Sequence, residues 1–424
     1  MPEKLNHVHQ GRGETTGCGP LLHSVQAAPR PLRQQVFEFV RAQGQAARAD
    51  ITHAIGISAA STTTLTADLI AAGYLREFER LARVEGRGRP KVSLEVVPDA
   101  GYVIGIKLAF EHHTAVLSDF AGSVVAQTRR PSSTARRPVA QLMDETQAVM
   151  ASLLRKAGRH MQDVNAVGIG LPGIIDHSTG TVIWSSLLDD RDADIRTRFT
   201  ERFNRPLSLD NDANMLTLAE LWFGEGRRMS DFAVVTVESG VGMGLVLNNQ
   251  LYRGAHGMGL ELGHTKVQFD GALCQCGQRG CLEAYLADYA LTREAATILG
   301  HRFDPRASTK EILAQLFADA QAGHAAAEAI FRRARRFLSI GLSNVVQLFD
   351  PALIILSGER MQYDHFFTPD VLDEMRSLTL NEGRRTPKVT INAWDDMVWA
   401  RGATALALSA VTGHLIGGAE APAA

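Results

Sequence analysis

A chain of 424 residues, 45% hydrophobic, is long enough for two or three domains with sizeable cores. Lys+Arg 44 against Asp+Glu 46 leaves a formal net charge of −2, which excludes a uniformly basic nucleic-acid-binding surface and confines any basic area to a patch. Four cysteines exclude a disulfide framework, and no apolar signal segment or run of about 18 apolar residues is present, so a reduced cytoplasmic protein away from membranes is expected.

Residues 1–29, rich in His, Gly and small polar residues, read as a disordered leader, and 414–424, ending in "GGAEAPAA", as a flexible tail. Cys18 and the histidines of "HVHQ" lie in that leader and are expected to be uninvolved surface residues. From Pro31 the periodicity is helical: "PLRQQVFEFVRAQG" and "ARADITHAIG" each predict a helix stopped by glycine. A third helix follows in "ISAASTTTLTADLIAAGYL", with Ser58 as N-cap and Leu65, Leu69 and Ile70 facing inward.

Two helices joined by a short Gly-containing turn form the helix-turn-helix pattern, so residues 30–98 are expected to bind DNA. The third helix would present Ser58, Ala59, Ala60, Ser61, Thr62 and Thr63 near its N-terminus to base edges. It carries hydroxyls and alanines but no Arg or Lys there, so strong bidentate base contacts are few. "REFERLARVEGRGRPKVSLEVV" reads as strand, turn and strand, a wing. Its Arg87 and Arg89, between glycines and closed by Pro90, suit phosphate contact or a narrow minor groove. The alternative is a small three-helix packing module with a solvated loop.

Residues 101–413 have a different character. "GYVIGIKLAFEHHTAVLSDFAGSVVAQ" predicts three strands, "PVAQLMDETQAVMASLLRKAG" an amphipathic helix, and "VNAVGIGLPGIID" a return to strand. "FAVVTVESGVGMGLVLNNQLYRG" repeats the hairpin theme, "PALIILSGE" adds a buried strand, and a long helix is expected over 321–349. This pattern predicts an α/β unit of two lobes with a cleft between them. "GIGLPG" at 168–173 fits G-x-G-x-x-G, but "IIDHSTGTVIW" after it is strand-like, where a dinucleotide site requires a helix.

The other three cysteines crowd into "GHTKVQFDGALCQCGQRGCLEAY", with the spacing His264-x9-Cys274-x-Cys276-x4-Cys281. One imidazole and three thiolates make a closed tetrahedral donor set suited to structural Zn²⁺, with unliganded loop thiols as the alternative.

"GIGLPGIID", "DNDANMLTLAE", "ESGVGMGLVLNNQLYRGAHGMGLELGH", "CQCGQRGCLEAY" and "PALIILSGE" resemble, in order, the ROK family of sugar kinases and sugar-responsive repressors. With a winged helix in front, the chain is similar to its repressor branch, which includes N-acetylglucosamine and xylose repressors. The resemblance implies an actin/hexokinase-like two-lobed fold braced by a zinc loop. It assigns His264, Cys274, Cys276 and Cys281 to zinc, and Asn211, Asp212, Glu261, His264 and Glu283 to a sugar pocket. Residue chemistry alone also explains Asn211 and Asp212 as helix capping, and Glu261 and Glu283 as carboxylates beside a metal loop.

In kinases of the family the first strand ends in Asp-x-Gly-Gly-Thr. Here "GIKLAFEHH" puts Lys107 in place of the acid, and Ala109 and Phe110 where glycines would admit phosphate. "WSSLLDD" at 184–190 departs likewise, with Ser185 or Ser186 where the kinases have an Asn-Leu pair. The expected protein is a sugar-responsive DNA-binding regulator, most simply a repressor without kinase activity, Asp212 being a vestigial base. Its partners would be operator DNA, a sugar or sugar phosphate, and a second copy of itself in a dimer or tetramer. The alternative is an ATP-dependent sugar kinase with an appended DNA-binding module.

Overall fold

The computed structural model describes residues 17–22, 30–79, 92–299, 307–358, 367–380, 382–392 and 394–418. In the N-terminal module, α1 (Leu32–Gln43) buries Val36, Phe37 and Val40, and ends at Gly44. β1 (Gln45–Ala47) leads into α2 (Arg48–Ile55), which stops at Gly56 with φ 72°, a left-handed conformation that costs glycine nothing. α3 (Ala59–Ala71) starts at Ser58, whose Oγ accepts the Ser61 N–H at 3.0 Å. The axes of α2 and α3 turn by 117° across Gly56, Ile57 and Ser58. β2 (Leu75–Glu79) and β1 flank β3 (Val92–Val96), both antiparallel to it. The expected wing turn, with Arg87 and Arg89, lies outside the described residues.

The first lobe is built on β4 (Tyr102–Lys107), β5 (His112–Asp119), β6 (Val124–Pro131), α4 (Val139–Ala157) and β7 (Val164–Leu171). It continues through β8 (Ile174–Asp176), β9 (Thr181–Trp184), β10 (Ala193–Asp194), α5 (Ile195–Phe203) and β11 (Leu207–Asn211). Its main sheet has the order β11-β7-β4-β5-β6, an antiparallel meander followed by two parallel strands. β8 and β9 form a hairpin after "GIGLPG", so a strand and not a helix follows those glycines.

α6 (Asp212–Phe223) leads to the second lobe: β12 (Phe232–Val237), β13 (Val241–Leu247), β14 (Gln250–Tyr252), α7 (Glu283–Leu286), α8 (Asp288–Leu299), α9 (Thr309–Gln321) and α10 (Ala325–Phe349). β15 (Leu353–Ser357), α11 (Pro369–Leu378), β16 (Lys388–Asn392) and α12 (Val398–Leu415) complete it in sequence. The sheet order β14-β13-β12-β15-β16 repeats the plan of the first, again a meander and two parallel strands. α10 starts four residues later than the periodicity predicts, because Gly323, at φ 77°, separates it from α9.

α12 returns to the first lobe and packs on β4 and β7. Glycine makes that approach possible: a Cβ on Gly105 would lie 2.0 Å from the Ala400 carbonyl, and one on Gly168 2.0 Å from that of Ala403. α6 is buried along Ala213–Trp222 and packs against both α12 and β13, which places its N-terminus at the meeting of the lobes.

The structure corrects both expected termini. Cys18 is 2% exposed, and residues 17–22 lie against α1, α6 and the turn after β5 instead of forming a free leader. The small residues that read as disorder are those a tight fit demands, since a Cβ on Gly17 would lie 2.4 Å from the Arg41 carbonyl. At the other end α12 runs to Leu415 and Ile416 is buried, so the expected tail at 414 begins inside a packed helix.

Candidate metal centre and ligand cleft

The loop between β14 and α7 turns back on itself through single bridges, Lys266 with Cys281 and Leu273 with Arg279. Gly277 and Gly280 take φ of 88° and 75°, the left-handed turns that "GQRG" permits. Ligand atoms of His264, Cys274, Cys276 and Cys281 lie within 4.8 Å of one another. His264 Nδ1 is 3.7 Å from Cys274 Sγ, and Cys276 Sγ is 3.7 Å from Cys281 Sγ. Edges of about 3.8 Å belong to a tetrahedron with metal–sulfur bonds of about 2.3 Å, so the donor set fits a closed N/S metal site. Two neighbours were not legible in the sequence. Lys266 Nζ stands 2.9 Å from Cys281 Sγ, and the Tyr289 hydroxyl lies 3.4 Å from both Cys274 Sγ and Glu283 Oε1. Burial pushes the Tyr289 phenol far above its ordinary range, so it is a permanent donor to these groups.

Glu283, first in α7, accepts the Val241 N–H through Oε2 at 3.2 Å, and its Oε1 lies 3.6 Å from Cys274 Sγ. The cysteine loop, the β12–β13 turn and this carboxylate are thus one unit. Glu261 precedes the short 3-10 turn that carries His264. It is exposed, yet desolvation by its surroundings raises its carboxyl above the usual range, with His264 opposing and Asp212 and Glu283 adding to the rise. Asp212 is raised too, by burial first, with the Lys107 ammonium opposing. Asp212 and Glu283 thus both act on the Glu261 carboxyl.

Asn211 caps α6, its Oδ1 accepting the Asn214 N–H at 2.8 Å, and Asp212 Oδ1 accepts the Ala213 N–H at 2.9 Å. Behind them the buried Asp210 accepts from Asn214 Nδ2 at 2.7 Å and from Arg253 Nε at 2.6 Å, tying the segment after β14 to the start of α6. Ser185 is fully buried and donates to the Pro172 carbonyl at 2.6 Å, so its hydroxyl is engaged within the wall. Ser186 remains as the partly exposed member of that pair.

The loop after β4 is engaged with its own side chains. Ala109 N–H donates to His113 Nδ1 at 3.2 Å. His113 is fully buried, and its Nε2 is 2.8 Å from Glu145 Oε2. Arg137 donates to the same carboxylate oxygen and to Ser132 Oγ, and its guanidinium stands 5.7 Å from the Phe110 ring. Lys107 turns its ammonium onto the Trp399 ring, 3.3 Å from the centroid.

Burial holds the His113 imidazole below its ordinary range despite Glu145. Burial also opposes the charge on Glu145, but hydrogen bonds from His113 and Arg137 prevail and hold its carboxyl below the usual range. The ring is thus neutral, accepting from Ala109 and donating to a charged Glu145. A histidine depressed in the folded state binds a proton first in the unfolded chain, so its contribution is complete above about pH 6.5 and declines as pH falls toward the folded value. His113→Asn, whose amide oxygen still accepts from Ala109, is expected to flatten the acid side of the urea-midpoint curve between pH 5 and 7. An unchanged curve would refute the assignment.

In the N-terminal module, Ser58, Ala59, Thr63 and Thr64 are exposed at the start of α3, and Ser61 partly so. Thr62 corrects the expected reader set: it is 0% exposed, hydrogen-bonded to Thr52 Oγ1 at 2.8 Å and to the Ser58 carbonyl at 3.1 Å, and has no path to a base edge. The helical period puts Thr64, not Thr62, on the outer face.

A family model described as "ROK family" matches residues 103–410. The chain is 27% identical over 371 residues to the xylose repressor of Caldicellulosiruptor bescii, covering 85% of this chain and 91% of that one. A ROK family transcriptional regulator, described as a homolog of the E. coli MLC protein, superposes with a TM-score of 0.75 at 22% identity, covering 91% and 96% of the two chains. A ROK hexokinase from Thermus thermophilus gives 0.61 at 28% identity, covering 72% of this chain and 97% of that one.

Proposed function

The chain belongs to the ROK family, and from that premise we propose that it is a cytoplasmic, sugar-responsive transcriptional repressor without kinase activity. One observation carries the second half: the Ala109 N–H is held by His113, beside a Phe110 that packs near Arg137 at a position where the family's kinases carry glycine. Phosphoryl transfer is mostly the positioning and neutralising of phosphate, and a loop whose donor is already engaged does neither. The name of the similar xylose repressor supports the first half. So does the 117° turn between α2 and α3, which lies in the range of helix-turn-helix units.

In this reading residues 30–98 bind operator DNA through Ala59, Ser61, Thr63 and Thr64, with Ser58 as cap and Arg87 and Arg89 on phosphates or in the minor groove. Residues 101–413 bind a sugar or sugar phosphate through Asn211, Asp212, Glu261, His264 and Glu283. Charged carboxylates accept strongly from hydroxyls, and a metal loop fixes their direction. Zn²⁺ would be held by His264 Nδ1, Cys274, Cys276 and Cys281, leaving His264 Nε2 for the ligand. Its part is structural. Three thiolates and one neutral imidazole over-neutralise a divalent ion, so the Lys266 ammonium beside Cys281 completes the charge balance. Lys266→Gln is expected to release zinc to a chromogenic chelator several-fold faster, and an unchanged rate would deny Lys266 that role. A dimer or tetramer would present paired reader helices to half-sites one helical turn apart.

Purified full-length protein should enrich a few sites from sheared genomic DNA and lose them with one sugar of a panel led by D-xylose and N-acetyl-D-glucosamine. No enrichment at low or moderate salt would overturn the repressor. The kinase reading retains Asp212 and the "ESGVGMG" turn in its favour. A coupled ADP-release assay with the same sugars is expected to stay at blank, and turnover there would restore that reading.

A further inference from the structure

The packed segment Gly17–Leu22 touches the two parts that a ligand-responsive regulator must connect. Its backbone donates to both: Cys18 N–H to the Arg41 carbonyl of α1 at 3.1 Å, Gly19 N–H to the Trp222 carbonyl of α6 at 2.9 Å, and Leu21 N–H to the Arg227 carbonyl at 2.8 Å. Arg227 returns the contact, donating to the Gly19 carbonyl at 2.9 Å and to that of Ala42 at the end of α1. Cys18 Sγ donates to the Ala121 carbonyl at 3.1 Å. The seat is close-fitting, for a Cβ on Gly122 would lie 2.1 Å from Cys18 Sγ. Beside the strap the Arg41 guanidinium lies 4.7 Å from the Trp222 ring centroid and donates to Thr412 Oγ1 of α12 at 2.7 Å.

The other end of α6 is the cleft, where Asn211 and Asp212 begin the helix and Arg253 grips Asp210. Twelve residues of helix span about 18 Å, and Met215, Leu216, Ala219 and Trp222 belong to one apolar cluster with Val36, Phe37 and Val40 of α1. A buried helix in a close-packed core moves as a unit and does not bend to absorb a displacement at its end.

We propose that α6 carries ligand occupancy from the cleft to the DNA-binding module, and that the Gly17–Leu22 strap is the coupler joining α6 to α1. Ligand capture at Asn211 and Asp212 displaces α6 along its length, shifts Trp222 and Arg227, and unseats the strap, which frees the module to turn. The proposal rests on the sugar-responsive reading. Packing supplies the route, and a measured coupling must supply the two states.

The test uses the full-length protein with D-xylose and N-acetyl-D-glucosamine, titrated calorimetrically so that the binder is carried forward, and a DNA fragment from the genomic enrichment. Cys18 is read apart from the other three cysteines by alkylation with iodoacetamide and peptide mass. The sugar is expected to speed Cys18 alkylation about tenfold and weaken DNA binding by a similar factor. Gly122→Ala should expose Cys18 without sugar and shrink the DNA response to about twofold or less, with sugar affinity kept within about threefold. Adding Cys18→Gly vacates the space of the new methyl but leaves an alanine at φ 87°, so it should restore part of the response. Sugar that releases DNA while Cys18 stays protected overturns the coupler, as does a folded Gly122→Ala protein with exposed Cys18 and a full response. A protein that binds neither sugar, or binds one with no effect on DNA, overturns the repressor reading itself, and the coupler falls with it.

Discussion

Cys281→Ser is expected to empty the metal site, abolish measurable sugar binding and lower the melting temperature by roughly 5–10 °C. Cys281 is fully buried, and its sulfur sits beside Cys276 Sγ and Lys266 Nζ. A serine hydroxyl stays protonated at neutral pH and is a poor zinc ligand, so three donors would remain where a closed site needs four. Backbone bonds such as Cys274 N–H to the Gln278 carbonyl at 2.8 Å and Leu282 N–H to the Thr265 carbonyl at 3.0 Å hold the loop in part, so its loss of order should be local. Its internal ladder is two single bridges, and Phe269 at its turn is 87% exposed. Glu283 lies two residues beyond Cys281, and Glu261 three before His264, so loss of the ion releases both carboxylates together. Zinc content by chromogenic chelation, differential scanning calorimetry and sugar titration check the three parts. A variant that keeps one zinc per chain and the parent melting temperature would remove the metal from this account.

Asp212→Asn is expected to act in opposite directions on fold and function. Burial raises the Asp212 carboxyl, with Lys107 only partly offsetting it, so its charged form weakens the fold. An amide of the same shape removes that cost and lowers the repulsion felt by Glu261. Stability should rise by about 1 kcal/mol at pH 7, while sugar affinity falls roughly 10–100-fold as a charged acceptor becomes a neutral one. The sign with pH follows from the raised carboxyl. The unfolded aspartate ionises near pH 3.9 and the folded one higher, so the folded chain binds the extra proton between those values. The stability gap between variant and parent should therefore be small near pH 4, widen as pH rises through the folded value, and then level. A gap independent of pH, or an unchanged sugar affinity, would show that Asp212 faces neither the buried field nor the ligand.

The gathering of His264, Cys274, Cys276 and Cys281 was legible because a donor set of this chemistry comes with fixed types and tight spacing. The lobes were legible because each begins with a meander of alternating strands. α1, α2 and α3 were legible from their glycine stops and the Ser58 cap. What escaped has physical causes. β1 is three residues long and shows no period of its own. Cys18 stands among glycines and polar residues, and a segment held by backbone hydrogen bonds to distant carbonyls carries no periodic signal. Thr62 and Thr64 are alike in chemistry, and only the orientation of α3 on α2 decides which is buried. Lys107 and Phe110 were visible as departures from the kinase pattern, yet the histidine that engages the Ala109 N–H lies four residues away and becomes meaningful only with Glu145 and Arg137 around it.

The return of α12 to the first lobe has a consequence for how the protein comes into being. Strands β4 and β7 leave the ribosome well before the helix that covers them, and Gly105 and Gly168 keep a bare surface until Ala400 and Ala403 arrive. Chains grow N-terminus first at roughly 5–20 residues per second, so that apolar sheet waits on the order of ten seconds or more for its cover. The same late helix supplies Thr412 to Arg41, and Ile416 beyond it to Arg33. A nascent chain broken off before α12 therefore leaves the N-terminal module without its final seat, so the synthesis of α12 is itself the checkpoint on assembly.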